Sequence, residues 1–110
     1  MIDTEVADIL DAAADLISPK KAWGQGAFAR TADGIPCNSL NPAAAQYCML
    51  GAIARAAHDA HSKKTVEARG ALEDHVGISD IPLWQDRVRR TKTQVIAALR
   101  GAAANCRGPQ

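Results

Sequence analysis

Few residues in this chain are of types that do chemistry. Cys37, Cys48 and Cys106 form no C-x-x-C pair, and three thiols cannot all pair within one chain. None has a base or oxyanion donors beside it in sequence, so a thiolate nucleophile lacks its usual activation. Cys48 is expected to be a small buried hydrophobe. His58 and His61 stand at i, i+3 spacing, near enough to share a metal, but zinc normally takes three or four protein ligands. His75 and Asp74 would complete such a site only through the fold. An enzyme of hydrolase type would need Asp86 or His58 as general base and Cys48 or a bound water as nucleophile, and no spacing unites them. The expectation is a non-catalytic binding or interaction module with no metal and no cofactor.

Two stretches suggest binding rather than catalysis. Trp23-Gly24-Gln25-Gly26 sets an indole and an amide among glycines that let backbone approach a ligand. It lacks the spacing and preceding strand of a phosphate loop. Arg87, Arg89, Arg90 and Lys92 crowd the start of the last helix, where cations oppose the helix dipole at about 0.3–1 kcal/mol each. Exposed helix donors with arginines nearby also make an anion seat. Together Trp23, Gln25, Trp84, Gln85, Asp86, Arg89, Arg90 and Thr91 contain the parts of a pocket for a small anionic ligand such as a nucleotide. The competing reading has the tryptophans plugging opposite sides of a core helix, with the arginines solvated or paired to the acidic first helix. Nucleic acid is disfavoured, because aromatic residues do not alternate with the cations as base stacking requires.

The elements that must position these residues read as mostly α. Helices are expected to begin near residues 4, 42, 63 and 92, giving a small four-helix domain over residues 1–110 with a frayed tail at 106–110. The first follows Val6, Ile9, Leu10, Ala13, Leu16 and Ile17 and stops at Ser18-Pro19. Asn41-Pro42 reads as the start of a central Ala-rich helix over about 42–60 that is apolar nearly all round. Gly51 inside it implies close approach of another backbone. Ser62 caps a third helix with Val66, Ala68, Ala71, Leu72 and Val76 inward, stopped by Gly77. Asp80 and Pro82 suit a short helical turn, and Thr91-x-x-Gln94 is a capping box. Residues 23–37 form an irregular loop or a short hairpin turning at Asp33-Gly34, with Pro36 confined to an edge.

Composition narrows the class. Of 110 residues 23 are alanine, so helices should pack closely through small side chains. The formal net charge of +1 gives no bulk attraction to nucleic acid or membrane. No apolar run approaches the roughly 18 residues of a membrane span, and the acidic N-terminus lacks a signal peptide's basic and apolar regions, so a cytoplasmic protein is expected. Ala-rich faces also permit a homodimer. Trp23-x-Gln25-Gly26, Cys48-x-x-Gly51-Ala52-Ile53 and Trp84-Gln85-Asp86 before the Thr91 cap, taken in order, resemble an uncharacterised family of small bacterial and phage-encoded proteins. That pattern carries Asn where this chain has Gln85. The resemblance implies a single domain, its phage association would fit a small host-interaction factor, and it brings no catalytic residue.

Overall fold

The computed structural model describes residues 3–59 and 61–108. Five helices and a small sheet follow in the order α1 (Thr4–Ile17), β1 (Ala29–Thr31), β2 (Pro36–Cys37), β3 (Ala44–Tyr47), α2 (Met49–Ala57), α3 (Lys63–Val76), α4 (Ile81–Gln85) and α5 (Lys92–Cys106). The mostly α expectation holds, with the short turn at Ile81–Gln85 forming a fifth helix.

Local signals account for most boundaries. Asp3 caps α1 by accepting from the Val6 amide, Ser62 caps α3 through Thr65, and Gly77 closes α3 at φ 77°. Thr91 and Gln94 make the reciprocal capping box that opens α5. Gly34, at φ 85°, turns the hairpin, and the proline-bearing β2 occupies a sheet edge, since the order is β2-β1-β3. Both pairings are antiparallel, joining Ala29 to Cys37 on one side and to Tyr47 on the other.

The central helix is shorter than its alanine content suggests. It starts at Met49, not near residue 42, because Asn41 turns its side chain onto the Ala43 amide and the following residues join the sheet. β1 offers ladder partners to Ala44–Tyr47, and this tertiary pairing outweighs the helix propensity of Ala44 and Ala45. Cys48 is the true cap, its Sγ accepting from the Gly51 amide at 3.3 Å. The helix ends at Ala57 with His58 left-handed, and Ala60, in the expected span, lies outside the described residues.

α1 packs on α2, α3, α5 and β3, while α2 also meets α3, α4 and β3. Leu10, Ile17, Met49, Ile53, Leu72, Ile81, Val95 and Leu99 fill the core between them, interleaved with fully buried alanines. Val66, expected inward, is 60% exposed; Thr65 takes the inner position. The acidic face of α1 does not reach the Arg87–Lys92 stretch. Arg100 bridges Asp11 and Asp15, Arg107 bridges Asp8 and Asp11, and Lys64 meets Asp3 and Glu5. Cys106 and Arg107 are therefore anchored rather than frayed, and the Asp3 amide donates to the Cys106 carbonyl at 2.7 Å. Pro109 and Gln110 of the expected tail lie outside the described residues.

Candidate functional site

Gln85 is where the chain's separated motifs meet. It ends α4 with only 1% of its surface exposed. Its Oε1 accepts from the Trp23 indole nitrogen at 2.7 Å and from the Met49 amide at 3.1 Å. The Met49 amide is one of the orphan donors at the start of α2, so a side chain from α4 completes that helix end. Gln85 Nε2 donates to Asp86 Oδ1 at 2.5 Å, and the Gly26 amide donates to the same oxygen at 3.2 Å. Gln25 Nε2 closes the joint by donating to the carbonyls of Gln85 at 2.8 Å and Arg87 at 3.0 Å.

This joint holds open a cleft of about 220 Å³ lined by Gly26–Phe28, Cys48–Leu50, Ile81, Pro82, Gln85 and Asp86. Gly51 lets the Phe28 wall lie close against α2. A Cβ there would stand 1.8 Å from the Phe28 carbonyl oxygen, so the backbone entering β1 can cross α2 only over a glycine. The Phe28 carbonyl in turn accepts from the Cys48 amide at 3.1 Å. Phe28, 60% exposed, stands at the rim and also borders a second groove with Leu50, Ile53 and Val66.

The cleft holds one thiol, Cys48, and one carboxylate, Asp86. Burial pushes the Cys48 thiol above its ordinary value, the Gly51 and Leu50 amides oppose that shift, and the Asp86 charge adds to it. The thiol is therefore protonated at neutral pH. Asp86 shares the cleft with Cys48, whereas His58 caps the far end of α2. Among the described residues no three His, Cys, Asp or Glu side chains are grouped to hold a metal.

The eight residues singled out from sequence divide into two groups. Trp23, Gln25, Gln85 and Asp86 come together in the joint. Trp84, adjacent to Gln85, faces elsewhere: the Arg90 guanidinium lies 3.7 Å from its ring centroid, and Arg90 Nε donates to the Trp84 carbonyl at 2.9 Å. Trp84 and Arg90 border a shallow depression with His75 and Gln94, which Trp23 does not line. Thr91 is occupied as the α5 cap, and Arg89 is exposed. Phe28, Met49, Leu50, Ile81 and Pro82 were not foreseen as cleft walls, although Gly51 had signalled that some backbone must cross there.

Fold and cleft define a small mostly α protein in which a three-stranded sheet and a short helix are bolted together across the start of a core helix. The chain belongs to a family of unknown function (DUF6197), which it matches over residues 1–105. No curated protein and no solved structure matches it.

Proposed function

We propose that this chain is a small, non-catalytic, cytoplasmic binding module that seats an apolar group of its ligand in the cleft beneath Gln85. The carrying observation is the division of labour around that cleft. Its polar side chains are engaged in holding the walls together, while Phe28, Leu50 and Pro82, backed by buried Met49 and Ile81, are left to meet a ligand. Cavities of about 150 Å³ accept a benzene ring, so an aromatic ring or a branched alkyl group is of the right size. Three free thiols favour a reducing compartment. The likeness of its motifs to small bacterial and phage-encoded chains fits a role in host interaction.

Thermal-shift screening of small aromatic and aliphatic compounds tests the cleft, with Ala27→Trp as the filled control. Stabilisation that Ala27→Trp removes supports the reading. Equal stabilisation of the filled variant overturns it, as does turnover that depends on Cys48 or Asp86.

A small anionic ligand is the second reading, favoured by the arginine stacked on Trp84 beside the Thr91 helix start. Nucleotides should then quench Trp84, and Arg90→Ala should abolish the response.

A further inference from the structure

The net charge of +1 conceals a segregation that only the fold reveals. Residues 19–25 and 85–92 run antiparallel, joined by Lys92 Nζ donating to the Pro19 carbonyl, Trp23 to Gln85, and Gln25 to Gln85 and Arg87. The segment that carries Lys20 and Lys21 is thereby joined to the one that carries Arg87, Arg89, Arg90 and Lys92, some seventy residues away in sequence. The two segments hold six cations and one carboxylate, Asp86, whose Oδ1 is already committed to Gly26 and Gln85. Among the described residues none of the six cations is in an ion pair, because the carboxylates of α1 are engaged by Arg100, Arg107 and Lys64.

An aliphatic side chain stands within this strip. Val88 is 97% exposed, at the apex of a turn closed by the Arg90 amide donating to the Arg87 carbonyl at 3.0 Å. Gln25 grips the same carbonyl, so the turn is fixed before anything binds. Arg87 and Arg89 flank the valine.

We propose that this strip is a docking surface for an acidic protein segment: glutamates or aspartates meet the cations while an aliphatic side chain packs on Val88. Charge complementarity selects the acidic partner, and arginines around an apolar point are typical of protein interfaces. A nucleic acid fits less well, since it makes no use of the valine, and the nearby indoles are committed to Gln85 and Arg90 rather than open for stacking. The proposal does not depend on the cleft.

The test uses the full chain and a fluorescent sixteen-residue glutamate peptide with leucine at every fourth position, read by anisotropy at low salt. Comparison probes are the same peptide with glycine replacing leucine, a sixteen-nucleotide single-stranded DNA, and phosphatidylserine vesicles. The leucine peptide should bind tightest, and Arg87→Glu/Arg89→Glu and Val88→Asp should each weaken it about tenfold or more with the melting temperature unchanged. The proposal is overturned if the leucine peptide does not bind, if the glycine peptide binds equally, if DNA or vesicles bind more tightly, or if the variants bind as the parent does.

Discussion

Replacing Gln85 with leucine keeps the side-chain size and removes the hydrogen bonds that the Gln85 side chain makes to Trp23, Met49 and Asp86. The Met49 amide, on a fully buried residue, loses its acceptor. An orphaned buried donor costs about 1–3 kcal/mol. The Trp23 indole nitrogen also loses its partner, but Trp23 is only half-buried and water can replace part of the bond, so about 1 kcal/mol is reasonable there. Gln85→Leu should therefore lose about 2–4 kcal/mol, a large share of the 5–15 kcal/mol typical of a domain, yet leave a foldable chain. Gln85→Asn, the residue of the resembled pattern, keeps the amide on a stem one methylene shorter. It cannot hold both donors unless α4 shifts, and should cost about 1–2 kcal/mol. Urea unfolding followed by circular dichroism gives both values. A Gln85→Leu protein within about 0.5 kcal/mol of the parent would refute the idea that this amide organises the cleft.

Gly51→Ala must displace the Phe28 carbonyl and should cost about 3 kcal/mol or more, whereas Gly70→Ala, with open space around its Cβ, should gain about 0.5–1 kcal/mol in the α3 interior; melting temperatures of the two variants check the contrast. Burial works to raise the Asp11 pKa, but hydrogen bonds from Arg100 and Arg107 outweigh it and hold the carboxyl below its usual 3.8. Asp3 is lowered too, by the Val6 amide and then Lys64. Carboxylates depressed in the folded state contribute stability above their unfolded values and lose it as pH falls through the folded ones. The urea midpoint should therefore fall below about pH 4, and less steeply in Arg100→Ala. Cys48, with its raised pKa, should react with iodoacetamide more slowly than free cysteine at about pH 8; peptide mass spectrometry resolves the site, and rapid labelling at neutral pH would contradict the protonated thiol.

Much of the scaffold was legible because its signals are local. The Ser62 and Thr91 caps, the Gly77 stop, the Asp33-Gly34 turn and the Pro36 edge each act within a few residues. Gly51 announced a crossing backbone that proved to be Phe28. What local reasoning missed was decided at long range. Ala43–Ala45 favour helix by themselves, but Ala43 sits in a turn held by Asn41 and β1 recruits Ala44 and Ala45 into the sheet. Cys48 was read as a core hydrophobe, and its role as a cap emerges only once the helix start moves to Met49. The site residues were chosen by type, as two indoles with neighbouring amides. Adjacent positions on α4 point different ways, so Gln85 turns to Trp23 while Trp84 turns to Arg90. The joining of the Lys20–Lys21 segment to the arginine turn is likewise beyond sequence, because it depends on Lys92 reaching the Pro19 carbonyl and on Trp23 and Gln25 reaching Gln85 and Arg87.

The most direct test of the binding-module account is an amide nitrogen–proton correlation spectrum recorded while a cleft-sized aromatic compound from the thermal-shift screen is added. The account predicts shifts concentrated on Gly26, Ala27, Phe28, Met49, Leu50 and Asp86, unchanged in Cys48→Ala, with the compound recovered chemically intact. Shifts centred elsewhere on the chain, or a compound converted in a Cys48- or Asp86-dependent way, would contradict it.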